Sequence, residues 1–80
     1  MYQILSKGDR VMIDPQKLGR RISYLRHKAH LKQLDIAERC FVSIQAVSKW
    51  ERGQCCPSLP MLDDIASALG VEIKDLFEEE

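Results

Sequence analysis

No run of about 18 apolar residues occurs in the chain, so no transmembrane helix and no membrane partner are expected. The N-terminus carries no apolar stretch behind a basic start, and no signal peptide is read there. Cysteine is sparse: Cys40, Cys55 and Cys56. An odd number at irregular spacing does not make the disulfide framework of a small secreted domain. Free thiols in a reducing cytoplasm are the reading, with the adjacent Cys55-Cys56 pair leaving a redox role open. His27 and His30 lie three apart, but nothing in the spacing brings them together with the cysteines into a four-ligand cluster. No metal and no cofactor are expected. Gly-rich phosphate loops, nucleophile elbows and paired catalytic carboxylates are also missing. The chain is read as not an enzyme and as having no small-molecule substrate.

Net charge is absent as well, since 12 basic residues balance 12 acidic ones. Their distribution is uneven. Residues 15–54 hold nine cations against three carboxylates, a net of +6, and residues 55–80 hold Lys74 against seven carboxylates, a net of −6. This asymmetry suits a polyanion-facing half and an opposite half turned away or towards a partner. A dipolar but merely solvated surface has the same composition.

Eighty residues make one domain. Such a chain buries only about 60–65% of its unfolded surface, which favours a compact helical bundle with a working exterior over a deep cleft. Residues 1–14 form an N-terminal arm or short β-hairpin, with Tyr2, Ile4, Leu5 and Val11, Met12, Ile13 flanking a turn at Gly8. Met12 is a second candidate start, which would make residues 1–11 a leader.

Residues 15–80 read as helical. Asp14 is an N-cap and Pro15 suits a first helical position. Leu18, Ile22, Leu25 and Ala29 keep the helical period over 15–29. A second helix spans 33–40, with Leu34, Ala37 and Cys40 on one face and Ile36 alongside. Its cap position, Lys32, has no capping oxygen. Ser43 caps a third helix over 44–52, whose inner stripe is Ala46, Val47 and Trp50, and Gly53 stops it. Ser58 opens a fourth over 59–69, with Leu59, Leu62, Ile65, Ala66 and Leu69 inward and Gly70 ending it. A last short helix, 73–78, offers Ile73, Leu76 and Phe77.

Two short helices, 33–40 and 44–52, joined by Phe41-Val42-Ser43, fit a helix-turn-helix. In that arrangement the second helix enters the major groove by its N-terminal residues.

With LGRRISYLR, then LKQLDIAERCFVSIQAVSKWERG, then PSLPMLDDIASALGVEIKDLF on the page, residues 17–77 resemble the phage-repressor and Cro-like (XRE-type) helix-turn-helix transcriptional regulators. The resemblance implies an all-α, compact five-helix bundle that binds operator DNA as a homodimer. It implies that Gln33 touches phosphate and braces the recognition helix. Ser43, Ile44, Gln45, Ala46 and Lys49 correspond to groove-facing positions, and Arg26 and Glu51 to a structural ion pair. Three departures stand out. Lys32 replaces Ser or Thr, Phe41 stands where glycine is frequent, and Cys55-Cys56 replaces a polar or basic stretch.

The side chains themselves suit these positions. Gln45 offers a donor and an acceptor together, the pattern that matches adenine N6 and N7. Lys49, one turn along, reaches guanine O6/N7 or a phosphate, and Ala46 leaves room for a thymine methyl. Ile44 could do the same or serve as a capping-turn contact. Lys32 and Arg52 suit phosphate neutralisation, which positions without specifying. The expected partners are therefore double-stranded DNA and a second copy, docked through about 58–80. The other function class left open is a protein-interaction module of the same fold, such as an antitoxin or antirepressor-binding domain.

Overall fold

The computed structural model describes residues 3–4 and 12–77. Four α-helices follow one another: α1 (Pro15–Lys28), α2 (Gln33–Cys40), α3 (Ile44–Glu51) and α4 (Leu59–Leu69). They are preceded by two two-residue strands, β1 (Gln3–Ile4) and β2 (Met12–Ile13), paired antiparallel with Gln3 opposite Ile13 and Ile4 opposite Met12. The turn expected at Gly8 lies outside the described residues, so a ladder is seen but no hairpin. Ile13 itself is buried in the core.

The fifth helix expected at 73–78 is instead a 3-10 helix at Ile73–Phe77, which leaves four α-helices rather than five. The segment follows the left-handed stop at Gly70 (φ 75°). It closes with an i→i+3 bond, Asp75 N–H to Glu72 O at 2.9 Å, while the Asp75 carboxylate accepts the Glu72 N–H at 3.0 Å. Short pieces of this length take the tighter helix readily.

Local chemistry accounts for the helix starts. The Asp14 carboxylate accepts from Gln16 N–H at 3.0 Å, Ser43 Oγ from Ala46 N–H at 3.1 Å and Ser58 Oγ from Met61 N–H at 3.3 Å. Each satisfies one of the donors a helix start leaves unpaired. Lys32 has no acceptor, so α2 carries half a capping box: the Asp35 carboxylate takes the Lys32 N–H at 2.7 Å.

Ile22, Ile36, Val47, Leu62, Ile65 and Leu76 form the most deeply buried set. Two apolar assignments move outward. Leu34 is 47% exposed, because the inner face of α2 runs through Ile36, Ala37 and Cys40. Leu59 is exposed too, at the first position of α4, where the helix has not yet reached the core. Leu76 lies inside the chain's own core, whereas Phe77 remains at the surface.

Gly19 allows the closest approach between α1 and α3. A Cβ there would sit 2.7 Å from Glu51 O and nearer still to Trp50 O. Glycine within a helix costs about 1 kcal/mol relative to alanine, and here the intimate contact offsets it. Arg39 Nη1 donates to Ala68 O at 2.7 Å, tying α2 to the C-terminal carbonyls of α4. Arg21 donates from Nε to Asp75 O at 2.7 Å and so anchors the 3-10 helix to α1.

Phe41 caps α2 with φ 58° and ψ 43°, the left-handed region that disfavours a bulky L residue by roughly 1–2 kcal/mol. Phe41→Gly is therefore expected to raise the melting temperature by a few degrees, about what 0.5–1 kcal/mol does in a domain of this size. Thermal unfolding followed by circular dichroism checks it; an unchanged or lower melting temperature would show the conformation unstrained.

Candidate nucleic-acid interface

The interface is built on α3, an eight-residue helix too short to persist alone in water. Its inner side is Val47 and Trp50, both buried. Its start is capped by Ser43, and its last residue is Glu51. A carboxylate in the final turn opposes the helix dipole, so Glu51 needs a partner.

That partner is Arg26, in the last turn of α1. Arg26 Nε donates to Glu51 Oε2 at 2.6 Å and Nη2 donates to Oε1 at 3.0 Å. The two side chains are only 10% and 8% exposed. Arg26 Nη1 also donates to Leu31 O at 2.9 Å, and Gln33 Nε2 donates to Glu51 Oε1 at 3.0 Å. The Arg26–Glu51 pair thus gathers α1, the α1–α2 connection and the start of α2 onto the end of α3. No buried polar side-chain atom among the described residues lacks a hydrogen-bond partner.

The remaining candidates divide by exposure. Gln45 and Lys49 are exposed, and among the described residues neither side chain has a hydrogen bond or ion pair within the chain. Lys32, Ser43 and Ile44 are also exposed, and the Ser43 hydroxyl, which accepts the cap bond from Ala46 N–H, still has its hydrogen to donate to another acceptor. Arg52 lies just past α3, exposed, with Nη2 3.3 Å from Gln54 Oε1. Gln33 is half-buried by its bond to Glu51. Ala46 is half-buried against the core, so its methyl belongs partly to the inner stripe.

Three features had weaker sequence signals. Gln54, which holds Arg52, could have been found only by knowing where the chain turns. The Asp35 cap of Lys32 was legible as a carboxylate three residues past a helix start. Gly19 was visible as a glycine inside an otherwise strong helical pattern.

Cys40 is buried, Cys56 half-buried and Cys55 exposed. Burial pushes the Cys40 thiol upward, with the Asp64 carboxylate adding to the effect. Burial alone raises Cys56. No group of three or more His, Cys, Asp or Glu side chains among the described residues is placed to hold a metal ion, and no helix among them is long and apolar enough to cross a membrane.

A short helix capped by serine, braced across the preceding helix and exposing a polar row is a helix-turn-helix, and comparison with known proteins places it. The helix-turn-helix family HTH_3 matches residues 22–76, and the chain belongs to that family. It is 39% identical over 62 residues to the HTH-type transcriptional regulator DdrOP3 of Deinococcus deserti, covering 78% of this chain and 48% of that protein. It is 33% identical over 63 residues to the immunity repressor protein of Bacillus phage phi105, covering 79% of this chain and 44% of that one. The chain therefore spans less than half the length of these two relatives. Among solved structures, the restriction-modification controller protein C.AhdI from Aeromonas hydrophila is similar with a TM-score of 0.77 and 34% identity, over 80% of this chain and 97% of that one.

Two outcomes follow from this geometry. Arg26→Ala leaves the Glu51 carboxylate buried without its cation and is expected to destabilise the domain by about 3 kcal/mol, measured by urea unfolding; a loss within 0.5 kcal/mol, about the scale of a neutral surface change, would count against the pair. A thiol reagent at pH 8 should modify Cys55 first, Cys56 more slowly and Cys40 only on unfolding, because the thiolate is the nucleophile and must be reached. Peptide mapping of the adducts gives the order, and early labelling of Cys40 would contradict it.

Proposed function

We propose that the chain is a sequence-specific DNA-binding transcriptional regulator, acting as a repressor, that reads operator half-sites with α3. The observation that carries this is the pairing of Gln45 and Lys49. They stand one turn apart on an exposed face, free of internal bonds, on a helix whose other end is clamped by Arg26, Gln33 and Glu51. Side chains left unpartnered on a rigid element are available to base edges, and a fixed helix sets their direction.

Roles then divide by chemistry. Gln45 reads adenine and Lys49 reads guanine or grips phosphate. Ile44 and the exposed part of Ala46 meet thymine methyls. Lys32, Gln33, Ser43 and Arg52 bind the phosphate–sugar wall, which sets register rather than sequence. The N-terminus of α3 contributes free N–H groups and the positive end of its dipole. No step in this reading makes or breaks a covalent bond, so the protein works by occupancy and not as an enzyme, in the cytoplasm where the DNA is.

One helix reads only a few base pairs, so the reading includes a homodimer that spans two half-sites about one helical turn apart. Within the expected docking segment 58–80, the described part, 58–77, supports this role. Leu59, Ile73 and Phe77 are exposed there, and a shallow groove of about 520 Å³ runs between α4 and the 3-10 helix, lined by Ala66, Val71 and Ile73 with Asp63 and Glu72 at its sides. On this reading residues 15–80 are the DNA-binding domain and residues 1–14 an N-terminal arm or hairpin.

Selection from a random duplex library followed by fluorescence anisotropy tests the proposal. Affinity should fall steeply with salt as bound phosphates release counterions. Gln45→Ala should lose about 1–3 kcal/mol at one base pair and relax preference there, while Arg52→Ala should weaken all duplexes alike. Absence of affinity for any duplex at low salt would sink the reading in favour of a protein-binding module.

A further inference from the structure

Phe41 is the most exposed large hydrophobic residue among those described, at 94%. It also adopts a left-handed backbone, φ 58°, that a phenylalanine disfavours. The backbone task at this position is to end α2, with Phe41 N–H on Glu38 O at 3.4 Å and Val42 N–H on Ala37 O at 3.0 Å. That task asks only for a positive φ, which glycine supplies without penalty. The ring contributes nothing in return to the interior. It is outside the core cluster, and the cation–π contacts among the described residues use Tyr24 instead. Residues kept in disfavoured backbone regions gather at functional surfaces, so the ring points to an intermolecular role.

Its position identifies the partner. Phe41 stands two residues before the Ser43 cap and three before Ile44, the first residue of α3, which is itself 40% exposed. Phe41 and Ile44 are thus the exposed apolar residues in sequence at the start of the reading helix, next to Ser43 and Gln45, while Val42 between them packs on the core. No carboxylate lies between Arg39 and Trp50 in the sequence, so nothing in this stretch repels a polyanion. In the major groove the base feature that a hydrocarbon recognises is the 5-methyl group of thymine.

We propose that Phe41 is a specificity-determining residue: its ring, together with Ile44, contacts the methyl group of a thymine at the edge of each half-site. The inference rests on α3 being the groove helix, and it adds a residue from the turn to the reading surface. The glycine-like backbone is retained so that the ring is thrown outward at the entrance to the groove.

The test uses the full chain and its selected duplex, with thymines replaced one at a time by deoxyuridine. This removes the methyl and leaves every hydrogen-bonding edge in place. The wild type should lose about fourfold in affinity at one thymine per half-site, about what withdrawing a single buried methyl is worth. Phe41→Gly should bind the unmodified duplex more weakly by a similar factor and be indifferent to uridine at that position. It should keep the base preference that Gln45 provides, and its melting temperature shows that the fold is intact. Equal uridine sensitivity in both proteins, or undiminished affinity of Phe41→Gly, would overturn the proposal and leave the ring to a protein partner. Those outcomes remove Phe41 alone, because selective duplex binding persists. Loss of all duplex selectivity in the wild type removes the wider reading together with this one.

Discussion

Arg26 and Glu51 meet as a forked guanidinium on a carboxylate, almost out of reach of water, and the orientation of α3 depends on that contact. Removing two charges from water is expensive, and their attraction offsets the cost only when the geometry is good and the remaining donors are satisfied. Both conditions hold. Two parallel bonds join the pair, Leu31 O takes a further guanidinium hydrogen, and Gln33 fills the second site on Glu51 Oε1. Apolar contacts alone would let a short helix slide or roll. A bidentate ion pair with a third ligand accepts few orientations, and it acts at the end of α3 opposite the Ser43 cap.

The rest of the molecule keeps that clamp in place. Gly19 brings α1 against the last carbonyls of α3, which shortens the span Arg26 must cross. Trp50 and Val47 close the space beneath. On the far side, Arg39 of α2 and Arg21 of α1 spend donors on backbone carbonyls of α4 and of the 3-10 helix, so with Arg26 three of the cations counted in the basic half serve the fold. The zero net charge therefore conceals a division of labour: some cations are structural, while Lys32, Lys49 and Arg52 stay exposed around α3.

Much of this was legible in the chain because it is local chemistry. The caps at Asp14, Ser43 and Ser58 and the glycine stop at Gly70 each act within four residues, so reading neighbours was enough. The inward positions of Ile22, Val47 and Leu62 repeat at helical spacing and were equally plain. Leu34 was misassigned because a short amphipathic helix allows two adjacent faces, and only the packing of α2 against α3 and α4 chooses between them; Leu59 was misassigned because it opens α4 before that helix reaches the core. The role of Arg21 was not legible for a related reason. Its acceptor, Asp75 O, lies 54 positions away, and no periodicity reports such a distance. The last segment was expected as an α-helix, but its hydrogen bonding is that of a 3-10 turn.

Residue order alone determined an all-helical chain, the boundaries of its four α-helices to within a residue or so, and the polar row that follows Ser43. These depend on backbone donors, acceptors and side chains close along the chain. The tertiary structure decided which way that row faces, how deeply Ala46 sits, which cations are consumed internally and that Phe41 stands free. Those outcomes come from contacts between residues far apart in sequence, where burial and close packing select one arrangement among several that local pattern permits.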